Sequence, residues 1–231
     1  MKNKANDLRC IIMEERARLA ATGNFSFDER EHIYRMYGQI VPSVTKIIST
    51  ISPDLLMNSN FIRKTQIGTD THSVCEHLID AQMGWGSVGY PELNPIAVVD
   101  AQTYVDGFIK FMDKEDYIFI ASELRVHSEL YKVAGTMDIL ALHKKKGHLA
   151  LMDIKTVAKL SPTVALQLWA YDKFYWEMFG KLTKTKVKER TAIWLTGDGD
   201  YKLKHYNDAN DVNVFMCKLV SYQWDKANKI K

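Results

Sequence analysis

Three cysteines in 231 residues, Cys10, Cys75 and Cys217, leave no C-x-x-C pair anywhere in the chain. Zinc ribbons and cysteine-ligated iron–sulfur clusters therefore lack their ligands. The odd count and wide spacing point to reduced intracellular thiols rather than a disulfide framework. Long apolar runs are lacking too. No stretch approaches the ~20 residues of a membrane span, and Cys10-Ile11-Ile12-Met13 is too short for a signal h-region. The expectation is a soluble, cytoplasmic protein with no membrane partner. Neither sign of charge dominates: 31 Lys plus Arg against 28 Asp plus Glu give a net +3. That excludes a highly basic nucleic-acid coat protein but not a basic groove on a mixed surface. With 12 Gly, 5 Pro and 46% hydrophobic residues, collagenous, disordered and low-complexity chains are excluded as well. The length can bury a real core without staples.

What is present reads as helices, then a meander, then a mixture. Residues 6–22 carry a Leu8/Ile12/Leu19 stripe that Gly23-Asn24 stops. An extended piece at Gln39-Ile40-Val41 runs into Pro42-Ser43-Val44-Thr45, where Ser43 and Thr45 can cap a short helix through Ile51. Pro53 opens another short helix, and a longer one spans 63–83. Residues 84–95 (Gly84, Gly86, Gly89, Pro91, Pro95) form the clearest loop. Helical periodicity returns over 96–112. The stretches 117–127, 131–143 and 148–154 are rich in β-formers and separated by short polar turns. A helix over 163–179 begins with Ser161 as N-cap and Pro162 at the first helical position. Strands at 191–196 and 201–206 flank a Gly197-Asp198-Gly199-Asp200 turn, and a helix from Ala209 follows. This order predicts an α/β (α+β) domain with a mixed central sheet.

The informative segment is Gly135-Thr136-Met137-Asp138 followed by Asp153-Ile154-Lys155. If the hairpin turns between Lys145 and Lys146, His143 faces His148 and Asp138 faces Asp153. Opposed residues on paired strands have Cβ atoms about 4.5–5.5 Å apart, and like charges placed so are destabilising. A hard divalent cation would resolve that conflict, since Mg²⁺ is held by one or two carboxylates with waters completing its shell. A strand repeats every two residues, so Asp153 and Lys155 share a face and Ile154 takes the other. Two acids and an ammonium converging on one spot suit metal-assisted phosphodiester hydrolysis. Lys155 would orient the attacking water or stabilise developing charge. The same residues also read as a wet strand end with Lys155 as salt-bridge partner, and one residue of register slip would separate the acids.

At these residues the sequence resembles the PD-(D/E)XK nuclease superfamily, in particular the RecB-type exonuclease branch. Pro42-Ser43-Val44-Thr45 resembles the P-S-V-T segment of phage and mitochondrial members, and Gly68 with His72 the helical G-x-x-x-H. Glu123 resembles the acid ahead of the core, Gly135-Thr136-Met137-Asp138 the G-T-x-D, and Asp153-Ile154-Lys155 the D-x-K. Gln167 and Tyr171 resemble the Q-x-x-x-Y, whose spacing puts both on one helix face. The likeness spans residues 40–195. It departs from the superfamily's name at Met137, where that name has proline, and the cysteines needed for the iron–sulfur staple of some relatives are missing.

The resemblance implies a restriction-endonuclease-like core over 41–206, an N-terminal helical extension over 1–40 and a C-terminal helix over 207–231, forming a single domain. It implies Mg²⁺ or Mn²⁺ held by His72, Asp138, Asp153 and the Ile154 carbonyl. Lys155 would be the catalytic lysine, with Asp153 and Asp138 also catalytic and Glu123 assisting metal or water organisation. Gln167, Tyr171, Ser43 and Thr45 would contact DNA or support the site. The implied activity is a cluster-free DNA exonuclease of phage or mitochondrial type, working in recombination, replication or DNA processing on single strands or duplex ends. Substrate would thread near the 84–95 loop, and a phage-encoded chain would work in the host cytoplasm. A single-strand annealing or replication protein is an expected partner, and a homo-oligomer is compatible with the sequence. The alternatives are an endonuclease on the same fold, of restriction or junction-resolving type, and a catalytically inactive DNA-binding protein.

Overall fold

The computed structural model describes residues 1–49, 59–84 and 95–229. The helix expected at Pro53, the 84–95 loop and the substrate path expected beside it fall almost entirely outside these residues.

The first element is helix α1, Lys2–Thr22. It ends where expected because Gly23 adopts φ 65° and returns its N–H to Ala20 O at 3.1 Å, the left-handed cap that glycine takes at least cost. The expected helical extension over 1–40 is only partly helical. Three short strands follow α1, namely β1 (Phe25–Asp28), β2 (Ile33–Met36) and β3 (Gln39–Val41), in an antiparallel sheet of order β1-β2-β3. Four-residue strands give too few periods for their alternation to register in the sequence. Helix α2 (Val44–Ile48) begins at Ser43, whose Oγ accepts the Lys46 N–H at 3.1 Å. It stops three residues before the expected Ile51.

Helices α3 (Ser59–Met83) and α4 (Pro95–Lys114) precede the main sheet. Its strands are β4 (Tyr117–Ser128), β5 (Val133–His143), β6 (Leu149–Lys155), β7 (Val187–Thr196) and β8 (Asp200–His205), in that spatial order. β6 and β7 are parallel and every other neighbouring pair is antiparallel, so the α/β expectation of a mixed sheet flanked by helices holds. Helix α5 (Thr163–Tyr175) makes the β6–β7 crossover and runs on through a π-helical turn, Trp176–Gly180. Its N-cap is Pro162 rather than Ser161, whose Oγ instead accepts the Thr163 N–H at 3.2 Å. Helix α6 (Asp211–Ala227) closes the described chain.

The two faces of β6 show how the sheet is buried. Leu149 and Leu151 pack into a core with Ile12, Val44, Phe174 and Phe215, from α1, α2, α5 and α6. Ala150, Met152 and Ile154 pack into another with Cys75, Ile79, Phe108 and Phe111, from α3 and α4. A strand covered on both sides reads as a continuous apolar run, and Leu149–Asp153 is buried throughout. Asp153 and Lys155 follow the Leu149/Leu151 parity, leaving Ile154 opposite, as the period of two requires.

Candidate functional site

The β5–β6 register is the one the turn predicts. Ile139 pairs with Met152, and the rungs continue to Leu142 with Leu149. The His143 N–H donates to His148 O at 2.9 Å. One further step sets Asp138 opposite Asp153, but the ladder stops before it. The Ile154 N–H, which a continued antiparallel ladder would give to Met137, donates instead to Asp138 Oδ2 at 2.7 Å. The strands part at the pair that would otherwise press two carboxylates together.

The other edge of β5 is interrupted at the same level. Ser122 pairs with Ile139 and Leu124 with Met137, so Glu123 stands opposite Asp138. Glu123 carries φ 42°, a left-handed conformation that a non-glycine residue holds only when its surroundings enforce it. A bulge lies just upstream, between Phe119 and Ala121. There Arg9 of α1 donates to the Phe119 carbonyl at 2.6 and 3.0 Å. Bulges re-aim side chains beside active sites, and the result is a row of three acids, Glu123, Asp138 and Asp153, across three strands.

Helix α3 brings His72 over this row. Its Nε2 lies 3.0 Å from Ile154 O and its Nδ1 3.5 Å from Asp138 Oδ2. A carbonyl only accepts, so Nε2 carries the proton; in the neutral ring the Nδ1 lone pair faces the acids, as second-shell orientation of a metal-ligating histidine requires. Ligand atoms of His72, Glu123 and Asp138 all lie within 4.8 Å of one another. Two carboxylates and an imidazole, with no thiolate, form a donor set suited to a divalent cation.

Two expected ligands sit differently. The Ile154 carbonyl is engaged by His72 and orients that ring. Asp153 is 1% exposed and outside the three-residue group. It is ion-paired with Lys155, while its Oδ1 has no hydrogen-bond partner. Glu123, expected only to assist, lies inside the group.

Electrostatics follow this crowding. Burial pushes Glu123 up to about 9, reinforced by Asp138, Glu76 and Asp153 and opposed by Arg125. Burial also raises Asp153 to about 6, against the pull of Lys155 and with a push from Asp138. For Lys155, burial works to lower the ammonium, but Asp153 and Asp138 outweigh it and the net shift is upward. Lys155 is thus held charged, which suits charge stabilisation rather than proton abstraction.

A cleft of about 390 Å³ unites these groups. Besides His72, Glu123, Asp138, Asp153 and Lys155, it is lined by Ser43, Thr45, Gln167 and Tyr171. Gln167 and Tyr171 are buried at 8% and 3% exposure, with Gln167 Nε2 donating to Tyr171 Oη at 3.3 Å. Both act as walls. A Cβ on Gly135 would come within 2.5 Å of Tyr171 Cε1, so the glycine of one motif makes room for the tyrosine of another. Gly68 packs in the same way: its Cβ would lie 3.3 Å from Thr156 Oγ1. Ser43 and Thr45 share a 2.9 Å hydrogen bond, and their segment is tied to β5 by Ala134 N–H donating to Pro42 O at 3.1 Å.

The cleft also contains residues the sequence did not single out. Glu76 lies one turn beyond His72 on α3, and burial and Asp80 raise its carboxyl. The i, i+4 spacing from His72 was the available signal. Tyr34 arrives from β2, within the stretch expected as helical extension, its Oη 2.8 Å from Thr136 Oγ1.

No family model matches this chain, and no curated protein matches it. Among solved structures, the crystal structure of SSO0001 aligns over 71% of this chain and 86% of its own, at 13% identity and a TM-score of 0.31. A likeness at that level carries no argument. Among the described residues no helix is long and apolar enough to cross a membrane.

Proposed function

We propose that this protein is a divalent-cation-dependent DNA exonuclease of the PD-(D/E)XK type, acting on single strands or duplex ends. One observation carries the reading: β4, β5 and β6 set Glu123, Asp138 and Asp153 in one row beneath His72, with Lys155 beside Asp153, all in one cleft. Carboxylates crowded together away from bulk water repel one another, so a fold that gathers three of them, one buried and two half-buried, stores a demand for positive charge. Lys155 meets part of that demand, and Mg²⁺ or Mn²⁺ at His72, Glu123 and Asp138 would meet the rest.

When bound, such a cation supplies Lewis-acid polarisation of a phosphodiester and a more acidic water. The protein's own groups do the rest. The Lys155 ammonium, fixed by Asp153, stands ready for charge developing on the phosphate oxygens. His72 is oriented through Ile154 O. Gln167 and Tyr171 wall the cleft.

The test uses end-labelled single- and double-stranded oligonucleotides with circular single-stranded DNA alongside, in Mg²⁺, Mn²⁺ or EDTA. Metal-dependent loss of linear substrate, intact circles and inactive Asp138→Asn and Lys155→Ala proteins are expected. Digestion of the circles would make it an endonuclease. Binding without digestion would make it an inactive relative.

A further inference from the structure

The register of the sheet beyond the acidic row places a second constellation on the face that Asp153 and Lys155 occupy. Lys155 pairs with Trp194 on β7, and Trp194 with Lys202 on β8. Two residues back, Asp153 pairs with Ala192 and Ala192 with Lys204. Ile193, Leu195 and Leu203 point into the opposite core, so Trp194, Lys202 and Lys204 share the face of Lys155.

These side chains are held in place. Trp194 Nε1–H donates to Val157 O at 2.6 Å. Lys202 Nζ lies 5.4 Å from the centre of the Trp194 ring, and Lys204 Nζ lies 5.9 Å from that of Tyr206. Tyr206 in turn lies close enough to Asp153 and Lys155 to feel both charges. Both lysines are exposed, on the outermost strand. Neither forms an ion pair within 4.0 Å among the described residues. Of the neighbouring carboxylates, Asp198 accepts from Thr196 and also feels the Lys202 charge, Asp200 accepts from the Tyr201 N–H, and Asp211 is paired with Arg190.

We propose that Lys202 and Lys204, seated on Trp194 and Tyr206, form the track along which the phosphodiester backbone of a single strand leaves the Lys155 cleft toward the β8 edge. The inference rests on the nuclease reading and adds the path to it. Two cations two residues apart on a strand are spaced by about 6.8 Å, a distance successive phosphates of an extended chain can match. Aromatic faces beside them offer sequence-independent stacking. The row runs from Lys155 across Trp194 on β7 to Lys202 on β8, in line with the strand leaving the cleft.

The experiment measures anisotropy of a fluorescein-labelled single-stranded oligonucleotide in EDTA over a KCl series, for wild type and for Lys202→Ala/Lys204→Ala. In parallel, Mn²⁺-dependent hydrolysis of bis(p-nitrophenyl) phosphate, too small to reach the strip, reads the cleft alone. Affinity should fall tenfold or more, and the salt slope should flatten by about 1.4, two contacts at about 0.7 each. Small-diester hydrolysis should stay unchanged. Lys202→Arg/Lys204→Arg, which keeps both charges, should retain the slope. A wild type that binds oligonucleotide and cleaves the diester, with an alanine pair unchanged in affinity and slope, overturns the track alone. So does an arginine pair that loses the slope, or polyglutamate binding that the alanine pair weakens as much as it weakens oligonucleotide binding. A wild type that neither binds nor cleaves overturns the nuclease reading itself.

Discussion

Glu123 and Asp138 stand opposite each other on β4 and β5, yet their level is where both ladders of β5 are broken. On one side Glu123 turns through φ 42°. On the other, Asp138 itself takes the Ile154 N–H at 2.7 Å. Backbone pairing is given up at the one level where carboxylates from neighbouring strands would meet, and the opening is the floor of the cleft.

The first prediction concerns pH and cations. Glu123 has a folded pKa of about 9 against an ordinary 4.5. The metal-free fold therefore binds a proton that the unfolded chain releases earlier. That contribution is fully present below 4.5 and is lost as pH rises toward 9. In EDTA the Tm should fall between pH 6 and 9, and Glu123→Gln should flatten the fall. Mn²⁺ at a hundred times its Kd adds about 2.7 kcal/mol, or roughly 5–11 °C for a chain of this size, and more at high pH. Calorimetry across that range checks both slopes; a wild-type Tm independent of pH and of Mn²⁺ would falsify the assignment.

A second concerns the Asp153–Lys155 pair. Removing one member of a buried ion pair costs about 3–5 kcal/mol because a charge is left uncompensated. Lys155→Met should destabilise by about that amount, and Asp153→Asn/Lys155→Met should recover most of it. Both proteins should lose cleavage by about a hundredfold or more. Urea unfolding of the two single and one double variant closes the cycle; simple additivity would show that the ions are not coupled.

For the packing of Gly135 against Tyr171, the expected cost of Gly135→Ala is about 1–3 kcal/mol, as for other overpacked sites. Adding Tyr171→Ala should reverse much of that loss, since the 2.5 Å approach is to the ring. Denaturation midpoints of the pair decide it, and an undiminished cost in the Tyr171→Ala background would place the strain elsewhere.

The fourth separates His72 from its neighbour on α3. His72→Ala should weaken Mn²⁺ binding by about tenfold to a hundredfold, read by isothermal titration. Glu76→Gln should weaken it less, since Glu76 lines the cleft outside the three-ligand group. The reverse order would move the cation along the helix.

Much of this site was legible in the chain. The Lys144–Gly147 turn, with strands of period two, fixes Asp138 opposite Asp153 and puts Asp153 and Lys155 on one face, because register and alternation are local properties of a hairpin. The i, i+4 spacing likewise puts Gln167 beside Tyr171. Residues 25–36 were not legible as a sheet, since strands of four residues gain their stability from Ala134 and the motif strand they pack against, not from their own pattern.

The sequence by itself determined which residues share a face and in what order the elements come, since periodicity and turn chemistry act over a few residues. Only the tertiary structure decided which groups meet. It moved Glu123 beside His72 and Asp138 by bending β4 at a strained residue, and set Asp153 against Lys155. It carried His72 from a helix 82 positions away onto Ile154 O and brought Tyr34 in from a hairpin. Such meetings depend on helices docking on a sheet and on a ladder breaking under like charge. Both are long-range balances that no local pattern encodes.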